Sequence, residues 1–310
     1  MDFAKIDSGP WKTLGSWVVK MNFISMGNHS ILPPVLEPTH FHREVEHFLR
    51  SGQWQSPQPS LAHITELSQH FAQIPYENLS KIINLNQHPE QPPLRMPDAV
   101  WDGFNRQHLG GTCYALTFFL ATILQYFGYD AKPMTADMNW GQNVHSGIIL
   151  TFANGRYLLD PGYLIHHPLP LSRTQPQRLD YPYLSVELRG EPESDAFNVF
   201  TYRKGQPTWR YRFDPRPLNW ATFAERWHRS FTLPSMDGLL LTRVTPNGML
   251  YIHNDYLRVT EIDRIHKARD MNEVEHFIET EFGIPLTLVE EARHALRENQ
   301  SRLKTVTGAT

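Results

Sequence analysis

The sequence predicts an α+β protein with its helices and strands segregated along the chain. Three observations predict it. Up to about residue 133, apolar residues recur three and four apart, which is the helical period. From about 134 to 215 the chain breaks into short alternating runs divided by turn formers, which reads as an antiparallel sheet or small barrel. The last third is mixed: a hairpin-like pair of apolar runs is followed by amphipathic helical segments.

Residues 1–38 read as an N-terminal extension. It carries the apolar stretch Trp17-Val18-Val19-Lys20-Met21-Asn22-Phe23-Ile24 and is punctuated by Pro33, Pro34 and Pro38. Its aromatics argue against simple disorder. Packing across the body, lining a pocket and self-association are the roles open to it.

Residues 39–133 read as a helical subdomain. Residues 41–49 and 61–71 have helical spacing, and Ser60 stands where an N-cap belongs. Pro89, Pro92, Pro93 and Pro97 mark a loop. The apolar run 115–127 reads as a further helix closed by Gly128 at C′, with Cys113 in its first turn.

Residues 134–218 read as the β subdomain. Residues 143–152 form a strand, Asn154-Gly155 a two-residue turn, and 156–160 the return strand, ended by Pro161-Gly162. Runs 183–188, 197–202 and 209–213 alternate in the same way. Residues 219–310 begin with a hairpin, 239–244 and 249–252 about Asn247-Gly248. A helix over 272–282 follows, with Val274, Phe277 and Ile278 on one face and Gly283 closing it. A charged helix over 287–299 comes last. No 20–50-residue repeat is visible.

The chemistry gathers around Cys113, the one cysteine among 310 residues. It lies in Gly110-Gly111-Thr112-Cys113-Tyr114, and the glycines permit close backbone approach, with Gly111 a candidate substrate contact. Unpaired N–H groups and the macrodipole of a helix start favour thiolate over thiol. A lone cysteine is also commonly a buried, inert residue. His145 and Asp160 change the balance, because a thiol nucleophile needs an imidazole base and a group to orient it. Taken singly, His145 reads as a polar strand residue and Asp160 as a turn former.

A simple hairpin does not join them. With Ala153 opposite Arg156, Asp160 faces Ile149, on the same sheet face as His145 but about 13 Å along the strand, at roughly 3.3 Å per residue. A triad then requires another register, a bulge, or Asp160 curling back.

These residues resemble the arylamine N-acetyltransferase family. Its Arg-Gly-Gly-x-Cys-aromatic-Glu motif is matched by Leu109-Gly110-Gly111-Thr112-Cys113-Tyr114-Ala115, and its Pro-Phe-Glu-Asn-Leu run by Pro75-Tyr76-Glu77-Asn78-Leu79. Its catalytic histidine opens a strand, as His145 does, and its Asp-Val-Gly-Phe signature is matched by Asp160-Pro161-Gly162-Tyr163. Trp209-Arg210-Tyr211-Arg212-Phe213 and Asn219-Trp220-Ala221-Thr222-Phe223 are similar to later segments. The resemblance spans residues 41 to 256, specific at four short sites and diffuse elsewhere.

It implies a helical subdomain, an antiparallel β-barrel and a C-terminal α/β lid on a cysteine-protease-like core. It also implies a papain-like triad of Cys113, His145 and Asp160 working by a ping-pong reaction. The acyl group passes from a thioester, acyl-CoA or an acyl carrier protein, through Cys113 to a small-molecule amine. Tyr114, Tyr163 and Phe231 are candidate aromatic walls of the substrate pocket. Glu77 and Asn78 are expected to support the site.

The departures are specific. Leu109 replaces the motif arginine, Ala115 the glutamate and Thr117 the usual asparagine. Glu77 thereby loses its usual cation, a loss of about 3–5 kcal/mol when a buried pair is broken. Arg106 and Lys81 are the expected substitutes. The altered motif leaves room for an amide-forming biosynthetic enzyme fed by a carrier protein. A peptidase or transglutaminase-like hydrolase could use the same triad, and a binding module could keep the fold without turnover.

Composition bounds these readings. The chain is 40% hydrophobic and 20% charged, an ordinary globular balance, and its net charge of −3 without a long basic run argues against nucleic acid. No apolar run reaches membrane-spanning length, no signal pattern begins the chain, and one cysteine suits a reducing cytoplasm. His40, His42 and His47, and the pair His166-His167, lack metal-ligand spacing, so no metal is expected. Oligomeric state is not legible.

Overall fold

The structure is a computed structural model that describes residues 35–52, 58–203, 205–233, 236–245 and 247–307. The apolar stretch 17–24 lies outside the described residues.

The helical part comprises α1 (His42–Ser51), α2 (Leu61–Phe71), α3 (Leu79–Gln87), α4 (Pro97–Gln107) and α5 (Cys113–Tyr126). Ser60 caps α2 as expected, its hydroxyl accepting from the His63 amide at 3.1 Å. Gly128 follows α5 at φ +79°, the left-handed conformation of a C′ glycine. Residues 113–124 of α5 are buried on every side, which its apolar sequence allows. Phe48, Phe71, Phe118 and Phe119 pack into its cluster.

Two helices depart from the sequence reading. Pro97 does not extend a loop; it opens α4, at the first helical position, where its missing N–H costs nothing. The polar-rich α3 is stable because Leu79 and Ile82 dock on the C-terminal cluster.

Eight strands form one antiparallel sheet: β2 (Asp130–Met138), β3 (Gly141–Phe152), β4 (Gly155–Asp160), β5 (Ile165–Pro170), β6 (Gln177–Asp180), β7 (Ser185–Gly190), β8 (Phe197–Arg203) and β9 (Gln206–Phe213). Their spatial order is β5-β4-β3-β2-β9-β8-β7-β6. The two outer strands return alongside each other, so the sheet curls into a nearly closed barrel. Met134, Ile149, Leu158, Val186, Val199 and Phe213 fill it.

The last third has α6 (Trp220–Arg229), β10 (Leu240–Thr245), β11 (Gly248–His253), β12 (Tyr256–Glu261), β13 (Ile265–Ala268), α7 (Met271–Phe277) and α8 (Leu286–Thr307). The hairpin is there, and β12 and β13 extend it. Its other edge is β1 (Tyr76–Glu77), which joins β10 in antiparallel register. A strand from the helical part thus belongs to the lid sheet. One π-helical turn, Ile278–Phe282, lengthens α7 before Gly283 at φ +74°.

Candidate active site

Gly110 and Gly111 are small because a strand crosses them. The Glu77 amide donates to the Gly111 carbonyl at 3.1 Å and the Gly111 amide to the Pro75 carbonyl at 3.4 Å. A Cβ on Gly110 would fall 1.8 Å from the Pro75 oxygen. The two motifs are therefore in direct contact, and the backbone that approaches these glycines is the protein's own. Thr112 precedes the helix in extended conformation, and Cys113 is its first residue.

His145 comes from β3 and Asp160 from the end of β4. Here the register differs from the simple hairpin. Phe152 pairs with Gly155 and Thr151 with Arg156, so Ala153 and Asn154 make the turn, with Ala153 at φ +50°. The shift moves Asp160 two residues along β3, from Ile149 to the level of Gly147. The diagonal to His145 is then short enough for side chains to meet. His145 Nε2 lies 2.7 Å from Asp160 Oδ2. Asp160 also accepts from the Tyr211 hydroxyl at 2.5 Å and from the Tyr163 amide at 3.0 Å. The imidazole stands between Tyr163, edge-on at 5.0 Å, and Tyr211 at 4.8 Å.

Gly162 closes the arrangement. A Cβ there would meet His145 Cε1 at 2.9 Å, Cys113 Cβ at 3.0 Å and Asp160 Oδ1 at 3.3 Å. One glycine therefore touches all three candidate catalytic residues, which are nearly sealed: Cys113 is 6% exposed, His145 4% and Asp160 0%.

Burial alone would push the Cys113 thiol up. The hydrogen bond to His145 and the positive charges of His145 and Lys81 outweigh that, and the thiol sits below its ordinary 9.0. Burial pulls His145 down, but Asp160's charge and hydrogen bond, with Cys113 behind them, push it up to about 10. Each shift favours the charged form of its group.

The expected substitutes for the motif arginine are elsewhere. Arg106 pairs with Asp102 on the surface at 2.7 Å. Lys81 turns to Ser230, donating to its carbonyl at 2.9 Å and its hydroxyl at 2.6 Å. Glu77 is served by the first turn of α3: the Ser80 amide and hydroxyl donate to it at 2.9 and 2.6 Å. A half-buried cation nearby is Arg95, which donates to the Gly110 carbonyl at 2.7 Å and feels the Glu77 charge. Asn78 ties the site to the lid, donating to the Gly238 carbonyl at 2.7 Å and accepting from the Leu240 amide at 2.8 Å. Thr117 accepts from Ser146 at 3.2 Å.

The aromatic candidates separate. Tyr163 stands on the His145 ring. Tyr114 has no exposed surface; it packs on Phe223 and Trp227, and its hydroxyl donates to the Asn143 carbonyl at 2.7 Å, so it fills the core. Phe231 is 5% exposed and lies under the Lys81 ammonium at 4.8 Å. A cleft of about 450 Å³ opens past Asn143, bounded by Thr135, Phe213 and Arg226; its lining includes none of Cys113, His145 and Asp160.

Sequence reasoning passes over Tyr211, Gly162 and Arg95. Tyr211 carries two signals, a place in an alternating run and in the family-like segment 209–213, and neither points to Asp160. Among the described residues no group of His, Cys, Asp and Glu side chains is placed to hold a metal ion, and no helix is long and apolar enough to cross a membrane.

Comparison with known proteins follows the same lines. A family model described as N-acetyltransferase matches residues 60–291. An uncharacterized acetyltransferase of Bacillus subtilis, YvcN, is 24% identical over 179 residues, covering 53% of this chain and 69% of that one. The arylamine N-acetyltransferase of Mycobacterium abscessus superposes with a TM-score of 0.69 at 15% identity, over 85% of this chain and 97% of the other. A single-residue variant of the Mycobacterium smegmatis enzyme gives 0.68 at 18%, over 81% and 96%. The Mycobacterium marinum enzyme in complex with CoA gives 0.67 at 17%, over 82% and 97%.

Proposed function

The chain belongs to the arylamine N-acetyltransferase family and is an acyltransferase, and from that premise we propose that it carries the acyl group on Cys113, from an acyl-CoA to an amine. The observation that carries this reading is the convergence of the three side chains: His145 Nε2 lies 2.7 Å from Asp160 Oδ2, which leaves Nδ1 for Cys113, and a Cβ at Gly162 would lie within 3.3 Å of all three residues.

The Cys113 thiolate attacks the thioester carbonyl carbon. The donor's C–S bond breaks as its sulfur leaves, taking the proton from imidazolium Nδ1. Cys113 is then a neutral thioester and His145 a neutral base. The amine attacks that thioester while His145 removes its proton; the Cys113 C–S bond breaks, the amide leaves, and the thiolate–imidazolium pair is restored. Asp160, held by Tyr211 and the Tyr163 amide, fixes the tautomer and the ring plane throughout.

A bound CoA in the Mycobacterium marinum relative makes acyl-CoA the donor to test first. Tyr163, beside His145, is the aromatic best placed to meet acyl chain or acceptor.

Intact-mass measurement after exposure to a panel of acyl-CoA thioesters tests the proposal. One acyl increment on Cys113, lost on adding an arylamine and absent from Cys113→Ala, is the expected result. Transfer retained by Cys113→Ala overturns it.

A further inference from the structure

We infer that Arg258 and Thr260, on one face of β12 in the lid sheet, form an anion-binding subsite of this active site, which holds a substrate by a carboxylate or phosphate group. The inference rests on reading Cys113 as the acyl-carrying nucleophile.

One cross-strand row leads from the glycines before Cys113 to Arg258. Tyr76 bridges Gly111 and pairs with Thr242 on β10; Thr242 pairs with Tyr251 on β11, and Tyr251 with Arg258 on β12. Residues directly opposite one another share a sheet face. The next row, Leu241, Ile252 and Leu257, takes the other face and joins the cluster of Val274 and Val289 from α7 and α8. Tyr76 instead packs against the cluster that holds Cys113 and Tyr114. The row of Arg258 therefore lies on the face turned toward the nucleophile. At about 4.8 Å per strand, its Cα stands roughly 19 Å from that of Gly111. The guanidinium leans back over the Tyr251 ring, 5.1 Å from its centroid, which carries the charge one strand nearer.

This arginine has no protein acceptor. Elsewhere in the lid, Arg264 reaches Glu261 at 2.8 Å, Arg269 reaches Asp255 at 3.2 Å, and Arg293 reaches Glu275. Arg258 Nε is buried without a hydrogen-bond partner among the described residues. Thr260 Oγ1, two residues on and on the same face, is also buried without one. Buried polar groups are ordinarily paired, and a guanidinium only donates, so what answers it must bring oxygen. Glu77 does not: it follows Tyr76, faces the other way and is engaged by Ser80.

The barrel adds a second guanidinium. Phe200 pairs with Trp209 and Val199 with Tyr211, so Arg210 is the extra residue of a bulge, which re-aims its side chain. Its Nε donates to the Thr201 hydroxyl at 2.5 Å, on the buried face of β8. The surroundings of Arg258 agree with this geometry. Burial lowers its pKa most, Arg203 and Arg210 lower it further, and Tyr256 and Tyr251 hold it up. Burial pushes the Tyr163 hydroxyl up, and Arg210 is the largest influence against it; Tyr163 is the ring that stands on His145. The fork of a guanidinium matches the paired oxygens of a carboxylate or phosphate, and the Thr260 hydroxyl supplies a further donor.

The test is isothermal titration calorimetry of two matched ligand pairs on wild type, Arg258→Met, Arg258→Lys and Thr260→Val, with melting temperatures alongside. Para-aminobenzoate against neutral para-aminobenzamide isolates a carboxylate. CoA against phosphate-free pantetheine isolates the phosphates. Wild type should prefer the anionic member of a pair, and Arg258→Met should weaken that ligand by roughly 10- to 100-fold while leaving its neutral counterpart unmoved. Whichever pair responds names the source of the anion. Arg258→Lys keeps the charge and loses the fork, so it should fall between. Thr260→Val should weaken the same ligand by less, and it carries the test should Arg258→Met not fold. No anionic preference in wild type, equal losses for both members of a pair, or no loss in the folded variants overturns the inference, because a packing role would move the melting temperature and not the preference. Binding is read without turnover, so the two readings fail separately. An anionic preference lost in Arg258→Met with no acyl group ever found on Cys113 refutes the nucleophile and leaves the subsite; an acylated Cys113 with no anionic preference refutes the subsite alone.

Discussion

His145 and Asp160 meet along a diagonal of the sheet. The last ladder pair of β3 and β4 is Ile148 with Leu159, and Asp160 continues past it to stand over Gly147, where a Cβ would be 3.6 Å from its own. Gly147 carries no side chain to block the path, and Asp160 Oδ2 reaches His145 Nε2 at 2.7 Å. Tyr211, from the far strand β9, holds the same oxygen. The geometry of the imidazole thus depends on three strands and one register.

Gly162→Ala should damage chemistry more than stability. The added methyl would press on His145, Cys113 and Asp160 together, each within 3.3 Å. Displacements of this order cost up to about 100-fold in rate. We expect acylation of Cys113 to slow by roughly 10- to 100-fold, with the melting temperature near wild type. An unchanged acylation rate would show that the site can move aside.

Tyr211→Phe removes one donor from a carboxylate that has no exposed surface. A buried acceptor deprived of a partner costs about 1–3 kcal/mol. Denaturant unfolding should show that loss, and acylation should slow because Asp160 is freer to turn. Stability equal to wild type would mean that the Tyr211 contact contributes little.

The sequence exposed the candidate residues and concealed their assembly. Cys113, His145 and Asp160 were legible because thiol, imidazole and carboxylate stand ahead of a helix, in a strand and at a turn. The register was not legible: Asn154-Gly155 is the better local turn by propensity, yet Ala153 takes positive φ and the turn forms one residue earlier. Each end of the hairpin is set by neighbours, β2 on one side and β5 on the other. The helix α5 was plain from its apolar run and closing glycine. The helix α3 was not, because its two buried anchors, Leu79 and Ile82, gain their partners only when α8 and the lid fold back. Arg95, Tyr211 and Ser230 act over long sequence separations, which no local pattern reports.

Stability should carry the mark of His145. Burial pulls its pKa down, and Asp160 and Cys113 push it up to about 10, above the unfolded 6.5. A group raised in this way stabilises the fold fully below its unfolded value, and the contribution fades as pH rises through the folded one. Asp160→Asn removes the strongest upward push. The melting-temperature gap between wild type and Asp160→Asn should therefore be wide near pH 6.5 and narrow toward about pH 10. A gap that stays constant over that window would mean that the imidazolium contributes nothing to folding.

Leu109→Arg should not restore a lost pair. Leu109 is 4% exposed and belongs to the cluster that joins Leu79 and Ile82 to the lid residues Val274, Ile278 and Phe282. Both oxygens of Glu77 are already engaged by Ser80, and Arg95 already supplies a half-buried cation beside the two glycines. A second guanidinium there would be buried without an acceptor, an error of roughly 3–5 kcal/mol on the scale of broken buried pairs. The protein should lose that much stability in denaturant unfolding, and acylation should fall with it. If Leu109→Arg instead raises both stability and acyl transfer, Glu77 has remained open to a cation. The Ser80 and Arg95 contacts would then be a substitute of lower strength than the residue they replaced.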